Sequence, residues 1–348
     1  MRKLLKEAFS DISYWGTLCF VYLASALLIA CNAKISTTLF WAFICAVICG
    51  IIIFKKRREN SRGETRAIEK KMKNAVLEMK KTGDATIVYK ALDEEVLPAL
   101  RKELPSCFYK YCSLGGDDSI DKQKIDALKN KNIWTSLHSE FNDPFELQYF
   151  YLDENAIREI NFPTEAVKTW ERVIGLVRKH ITVASFTQNP NSMPMWAHYA
   201  NNHNGFCVEY EIIKTNNLYP VLYTKERMSA QVLFVSLLMG FVNQAENEED
   251  KTLQHVLKHI MLLSSYKEES WSSENEIRLI FINHLDEISN GGRLISCEEA
   301  GIRAKKIYIG VSCSKENEQT LISIANELGI EYEKCKLSSN KKYGVIEE

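Results

Sequence analysis

The chain has 348 residues, with 44 lysines and arginines against 45 aspartates and glutamates, a formal charge of −1, and 46% hydrophobic residues. This composition excludes a disordered, collagen-like or polyelectrolyte protein and is typical of a folded chain of about two domains. Residues 1–58 contain eight basic and two acidic residues, whereas the remaining 290 residues carry a net charge of −7. An acidic body disfavours bulk nucleic acid as a partner, because binding to phosphates requires a basic surface.

The first sixty residues contain two long uncharged segments, 12–33 and 35–54. As helices they would span ~33 and ~30 Å, the thickness of a bilayer core. They predict a transmembrane hairpin of two spans, with the lipid bilayer as a partner through residues 15–54. Basic residues on both sides of the hairpin predict an inner (cytoplasmic) membrane location with both termini in the cytoplasm. The alternatives are a cleaved signal peptide, a lipobox at Leu28–Cys31 and two buried core helices.

The predicted organisation has three parts: the transmembrane hairpin (1–58), a charge-dense helical stalk or linker (59–104) and a cytoplasmic domain (105–348). The cytoplasmic domain begins where Pro105 stops the helix predicted at 92–104. Ten cysteines without a CxxC pair predict buried thiols rather than disulfides or a zinc site, and no metal is expected. Small residues in the hairpin permit close helix approach and leave self-association open.

Apolar periodicity predicts the elements of the cytoplasmic domain in chain order. The predicted elements are a strand at 107–113, a short helix at 125–128, a strand at 133–136, a helix at 165–180, a strand at 181–187, a helix at 195–201, strands at 205–210 and 219–223, helices at 229–243 and 251–267, strands at 276–283 and 306–312, a helix at 315–328 and a strand at 331–336. Because the strands arrive in clusters rather than in strict alternation with helices, the predicted fold class is α+β: a mixed α/β domain with inserted helices.

The segment Phe141–Glu146, FNDPFE, surrounds polar groups with two phenylalanines and a proline. Such a rigid turn can display Asn142, Asp143 or Glu146 into a ligand pocket. Alternatively, it is an Asx turn whose side chains satisfy local backbone groups.

The segment 195–210, MWAHYANNHNGFCVEY, predicts a short helix, a glycine stop and a strand. This corner could collect His198, His203 and Glu209 beside aromatic walls. The spacing has no metal-specific signature, and histidines satisfied within the core are the alternative.

Glu274 and Glu276 are separated by one residue, so on a strand their carboxylates point to the same side and repel unless a cation or ligand lies between them. Such a pair can raise one pKa toward the range of a general base. The alternative is a solvated strand edge on which Arg278 pairs with Glu276.

Five segments together resemble a bacterial family of cytoplasmic domains of unknown function, whose members resemble accessory genes of phage defence. The segments are YKYCSL (109–114), IWTS..SEFNDPFE (133–146), ITVASFT (181–187), MWAHYANNHNGFCVEY (195–210) and W..ENEIR (271–278). The resemblance runs from about residue 108 to 310 and implies no settled activity.

A more distant similarity is to ADP-ribosyltransferases of the arginine-serine-glutamate type. It implies Lys110 at the first position of the motif, Ser185 at the second, and Glu274 with the catalytic Glu276 at the third. Lys110 departs from that pattern because an ammonium lacks the bidentate geometry of guanidinium. The similarity implies NAD as the cofactor.

The leading hypothesis is a membrane-anchored cytoplasmic enzyme of this ADP-ribosyltransferase-like kind, which acts in bacterial phage defence on a nucleotide-like ligand. Glu276 would be the catalytic carboxylate, Glu274 would orient the acceptor, and Ser185 and Lys110 would position the ligand. The ligand-binding candidates are Tyr109, Tyr111, Trp134, Ser136, Asn142, Asp143, Glu146, Trp196, His198, Tyr199, His203, Glu209 and Arg278. Large aromatic residues are alternatively explained by core packing. The competing hypotheses are a nucleotide- or phage-sensing domain that disrupts the membrane through the hairpin, and a non-catalytic, membrane-anchored interaction module.

Overall fold

The computed structural model describes residues 90–148, 150–151, 175–229, 252–338 and 344–346, with scattered positions between 70 and 87 and residue 172. The chain divides into two compact units, residues 1–69 and residues 70–348, and every described residue belongs to the second.

The predicted transmembrane hairpin is not supported. Residues 15–54 lie outside the described part of the chain, and within the described part no helix has the length and apolar character needed to cross a bilayer. The fold class is therefore corrected to a mixed α/β globular domain, and the two-span location in the inner membrane is not retained.

The described helices and strands follow one another as a mixed α/β pattern. They are a π-helical turn Ala91–Val96, α1 (Leu97–Lys102), β1 (Cys107–Cys112), α2 (Asp118–Lys129), β2 (Asn132–Leu137), β3 (Phe150–Tyr151), β4 (Ile181–Thr187), α3 (Met193–Tyr199), β5 (Phe206–Ile212), β6 (Leu218–Pro220), β7 (Leu222–Thr224), β8 (Met228–Ser229), α4 (Thr252–Leu263), β9 (Tyr266–Glu268), β10 (Glu276–Ile282), β11 (Gly292–Ser296), α5 (Cys297–Ala300), β12 (Ile302–Ile309), α6 (Lys315–Leu328) and β13 (Glu331–Lys334). Short 3-10 turns cover His138–Glu140, Glu269–Glu274 and Leu285–Glu287.

Nine strands form the main sheet of the described chain, in the order β11-β2-β4-β1-β5-β12-β13, with β10 beside β4 and β6 beside β10. Strand β10 pairs antiparallel with β4 along all seven residues of that strand. The other edge of β4 is shared: β2 pairs with Val183 and Thr182, whereas β1 pairs only at Tyr109 and Thr187. The sheet therefore has two arms, β11-β2-β4-β10-β6 and β1-β5-β12-β13, which separate beside the middle of β4.

The two faces of the sheet bury different sets of side chains, as the alternation of a strand requires. One face carries the main apolar core, in which Phe108, Phe186 and Ile277 are almost completely buried and which α2, α5 and α6 cover. On the opposite face, α3 places Trp196 against Tyr111 of β1, with ring centroids 5.0 Å apart. The alternate residues of β4 and β10 face the other way and belong to this second face, and they include Ser185 and Glu276, two of the predicted catalytic residues.

Helix ends explain where the predicted helices differ from the observed ones. The helix predicted at 125–128 is longer in the structure, where it covers Asp118–Lys129 (α2). It begins earlier because Asp117 caps its start by accepting from the N–H groups of Ser119 and Ile120. The prediction at 315–328 is confirmed, with Gly329 in the left-handed C-cap conformation at φ 66°. Most of the predicted helix 229–243 and most of that at 165–180 lie outside the described residues, and Ser229 belongs to β8.

The segment 92–104, predicted as part of a stalk, lies against the domain. Leu92 and Val96 are fully buried, and Asp93 pairs with Lys258 of α4 at 3.2 Å. The hydrophobic effect therefore holds this segment on the globular unit.

Candidate functional site

The E-x-E segment stands at the start of β10, where a 3-10 turn (Glu269–Glu274) leads into the strand through Asn275. Asn275 is left-handed at φ 45°, a conformation that asparagine tolerates better than most residues. Glu276 lies opposite Thr187 of β4, and Arg278 lies opposite Ser185. The register therefore brings the serine and the second glutamate, predicted from distant segments, to the same face of the sheet.

Arg278 is the centre of a buried ion-pair cluster and has no exposed surface. Its Nε donates to Oε1 of Glu276 at 2.9 Å, and its Nη2 donates to Oε2 of Glu146 at 3.0 Å. Its Nη1 lies 2.6 Å from Oε1 of Glu146 and donates to the carbonyl of Ser264 at 2.5 Å. One guanidinium thus joins β10, the FNDPFE turn and the end of α4.

Lys267 of β9 closes the cluster from the other side. Its ammonium donates to Oε2 of Glu274 at 2.7 Å and to Oε2 of Glu276 at 3.0 Å, and it lies 4.8 Å from the ring centre of Trp271. The hydroxyl of Tyr199 donates to the other oxygen of Glu274 at 2.6 Å. The cation required between the two E-x-E carboxylates is therefore supplied by the protein itself.

These contacts set the protonation of the cluster. Burial acts to raise the pKa of Glu276, but the positive charges of Arg278 and Lys267 outweigh it and lower the pKa to about 2. Burial raises the pKa of Glu146, although Arg278 opposes this. Burial acts to lower the pKa of Lys267, yet Glu276 and Glu274 keep it above its ordinary value. Glu276 is thus ionised at neutral pH, and Glu146 is the carboxyl that accepts a proton more readily.

Ser185 and Lys110 meet at the gap where the two arms of the sheet separate. Lys110 Nζ donates to the carbonyl of Ser185 at 3.4 Å and lies 5.5 Å from the ring centre of Phe186. Burial lowers the pKa of Lys110, against the attraction of Glu276. The Ser185 hydroxyl lies near enough to help lower the pKa of Glu276, yet within the described residues its buried Oγ has no partner in hydrogen-bonding geometry.

The FNDPFE turn fits both interpretations of its sequence, a local Asx turn and a turn that displays a polar side chain into a site. Asp143 is buried and accepts from the N–H of Phe145 at 2.9 Å, the Asx turn of the alternative interpretation. Glu146 instead reaches the cluster. Asn142 is exposed, and its side chain lies near enough to the Tyr199 hydroxyl to oppose the rise that burial and Glu274 cause in the pKa of Tyr199.

Most of the predicted aromatic ligand-binding residues pack away from the carboxylates. Trp196 has no exposed surface and donates from Nε1 to the carbonyl of Pro190 at 3.0 Å, and Tyr111 donates to that of Asn189. Trp134 covers Gly292 of β11 near the edge of the sheet. Packing in the core and at the edge of the sheet therefore accounts for these aromatic side chains.

The remaining predicted residues have separate surroundings. His198 is exposed on α3, and His203 stacks on Trp196 with centroids 5.7 Å apart. Glu209 accepts from Tyr308, whose ring lies 6.2 Å from that of Tyr109. Ser136 pairs with Val183 of β4. Among the described residues no group of three or more His, Cys, Asp or Glu side chains could hold a metal ion.

Sequence reasoning missed Lys267 and Tyr223. The sequence predicted residue 267 as the end of a helix, whereas the helix ends at Leu263 and β9 follows. The hydroxyl of Tyr223 accepts from the N–H of Glu276 at 2.9 Å, a contact across 53 residues that no local pattern signals. The Tyr266-Lys267-Glu268 alternation was the one available sign of a strand.

A cavity of about 270 Å³ lies beside the cluster. Its lining includes the buried side chains of Asp143, Glu146 and Lys267 and the exposed side chains of Lys225 and Arg227. This space reaches the cluster from the side that Lys267 closes.

Comparison with known proteins identifies one segment. Residues 195–279 match a family model described as a protein of unknown function (DUF2971). The match includes Tyr199, Lys267, the E-x-E carboxylates and Arg278. No curated protein and no solved structure matches the chain. The resemblance to a domain of unknown function is therefore confirmed for this segment, whereas the resemblance to ADP-ribosyltransferases stays a prediction.

Proposed function

We propose that this domain binds a nucleotide-like ligand where the sheet arms separate and transfers ADP-ribose from NAD, in bacterial phage defence. The observation that carries the proposal is the meeting of Ser185 and Glu276: a buried hydroxyl lies close enough to a carboxylate that is ionised at neutral pH to help lower the pKa of that carboxylate. The Ser185 hydroxyl has no other described partner, so it has a hydrogen-bonding position left for a ligand.

Transfer of ADP-ribose develops positive charge at the ribose as nicotinamide leaves. A carboxylate stabilises that charge only while it is ionised, and the low pKa of Glu276 keeps it so. Glu274 is held by Tyr199 and Lys267, so its carboxylate is already oriented to position an acceptor. Ser185 and Lys110 would hold the ligand.

Access to Glu276 requires that Lys267 withdraw. Both oxygens of Glu276 accept hydrogen bonds from Arg278 and Lys267. The neighbouring cavity, of about 270 Å³, is slightly below the range of roughly 300–1,000 Å³ that is typical of small-molecule pockets. That volume is enough for a nicotinamide ring but not for a dinucleotide. Binding of NAD therefore includes displacement of Lys267 toward solvent.

A second candidate function is ligand sensing without chemistry. It is favoured by the hydrogen bonds that both carboxylate oxygens of Glu276 already accept from Lys267 and Arg278. A carboxylate bound in this way is suited to stabilising the fold rather than to reacting.

Incubation of the full chain with NAD and a bacterial cell lysate, which supplies acceptors for the ADP-ribose as nicotinamide leaves, tests both candidates. We expect wild-type protein to consume NAD and Glu276→Gln to lose that activity by at least a hundredfold. Glu276→Gln leaves two carboxylates and two cations in the cluster, so it is expected to fold, which its unfolding midpoint checks. Glu299→Gln, on the exposed surface of α5, is the matched control.

Thermal unfolding with and without NAD separates the outcomes. Stabilisation by NAD without consumption would support sensing and contradict transfer. If NAD neither stabilises the protein nor is consumed, both candidate functions are overturned for this ligand. Protection of bacteria against phage, and its loss in Glu276→Gln, tests the biological setting of the transferase proposal.

A further inference from the structure

A second and larger cavity, of about 930 Å³, lies on the face of the sheet opposite Glu276. It opens between the ends of β5 and β12 and the helices α2, α5 and α6. Its apolar walls include Leu128, Ile302, Leu328 and Ile330. The volume is in the range of small-molecule sites, and none of the residues predicted to bind a ligand lines it.

The hydroxyl of Tyr210 is the unexplained polar group of this cavity. Tyr210 lines the cavity and is only 4% exposed, and its hydroxyl, which is not among the fully buried polar atoms without a partner in the described chain, is open to the cavity. Buried tyrosines ordinarily use the hydroxyl in a hydrogen bond. An acceptor supplied from the cavity would complete it.

Lys131 and Cys297 line the same cavity as Tyr210. Burial raises the pKa of the Cys297 thiol to about 11, and the charge of Lys131 opposes this. The same thiol acts on Tyr210, whose pKa burial raises well above its ordinary value. The cavity therefore presents an ammonium, from Lys131, and a neutral donor, from Tyr210, in one lining.

The charged residues that line the cavity include more cations than carboxylates. Arg303 and Glu211 satisfy each other through an ion pair of 2.5 Å. The other charged lining residues are Lys131, Lys214, Lys305, Glu298 and Glu331. Three ammonium groups against two carboxylates favour an anion.

We propose that this cavity binds an organic anion with an apolar body. Its acidic group accepts from the Tyr210 hydroxyl and lies beside Lys131, and its apolar part packs against Leu128, Ile302 and Leu328. The proposal is independent of NAD and of the E-x-E carboxylates, which lie on the other face of the sheet.

Fluorescence titration of the full chain with the dye anilinonaphthalene sulfonate, which joins a sulfonate to an aromatic body, tests the proposal. We expect saturable binding to the wild type. Tyr210→Phe is expected to weaken it roughly tenfold, through loss of a hydrogen bond to a charged group. Lys131→Asn removes the charge and suits the left-handed backbone at φ 54°, and it is expected to weaken binding roughly fivefold. Ala304→Phe, directly opposite Tyr210 in the register, is expected to block the cavity.

The control variants distinguish a loss of dye binding from a loss of folding. Tyr210→Phe is expected to retain the unfolding midpoint of the wild type, because the hydroxyl it removes is open to the cavity. Lys122→Gln, an exposed substitution on α2 outside the cavity, is expected to bind the dye like the wild type. Absence of binding, or binding by Tyr210→Phe and Lys131→Asn as tight as by the wild type, overturns the proposal even if Ala304→Phe fails to fold.

Discussion

Replacement of Arg278 by methionine should severely destabilise the domain. Methionine fills a similar volume but leaves Glu146 and Glu276 buried, without the guanidinium that lies 2.6 and 2.9 Å from them. Removing one partner of a buried ion pair costs about 3–5 kcal/mol. At about 2–4 °C per kcal/mol for a domain of this size, the thermal midpoint should fall by about 6–20 °C. Circular dichroism of the purified variant measures this.

The pH dependence of that loss identifies its cause. In Arg278→Met the two carboxylates lose their strongest cation, so their folded-state pKa values rise above the unfolded values, and the penalty is relieved as pH falls through the raised values. The deficit relative to wild type should therefore be larger at pH 8 than at pH 5, and Glu276→Gln added to Arg278→Met should restore part of it. Arg303→Met breaks an ion pair whose arginine is 68% exposed and should scarcely move the midpoint. A deficit below about 1 kcal/mol, or one independent of pH, refutes the role assigned to Arg278.

Two further outcomes follow from the geometry. Gly205→Ala should destabilise by about 1–3 kcal/mol or more, because a Cβ there would overlap the carbonyl oxygen of Cys112, whereas Gly116→Ala, with open space around it, should be neutral in the same unfolding measurement. Because the folded pKa of Glu276 is about 2 against an ordinary 4.5, the stability it contributes is present above pH ~4.5 and lost as pH falls toward 2. The difference in unfolding free energy between wild type and Glu276→Gln should shrink over that interval, and a constant difference would contradict the assignment.

Strands with strong apolar periodicity could be predicted from the sequence. The predicted strand at 181–187 coincides with β4, and that at 276–283 differs from β10 by one residue. The helix predicted at 251–267 was too long at its C-terminal end. There the hydroxyls of Ser264 and Ser265 donate to the carbonyls of Ile260 and Leu262, a local competition that the apolar pattern does not reveal.

The candidate site was predictable in part. The spacing of Glu276 and Arg278 correctly indicated that they could pair, but the alternative placed them on a solvated edge, whereas Arg278 is fully buried. The partnership of Arg278 with Glu146 joins positions 132 residues apart. Such contacts depend on the register between strands and on the course of the connecting turn, which a single sequence does not encode in a readable pattern.

Charge balance restricts the ligand that the cluster can accept. The cluster consists of three carboxylates and two cations, namely Glu146, Glu274, Glu276, Lys267 and Arg278. Lys110, which Glu276 attracts, is the third cation and brings the total to neutrality. Because unpaired charge is costly in a low-dielectric interior, a ligand that displaces Lys267 must bring a positive centre to the two E-x-E carboxylates. In the proposed function, the nicotinamide ring of NAD would supply this positive centre.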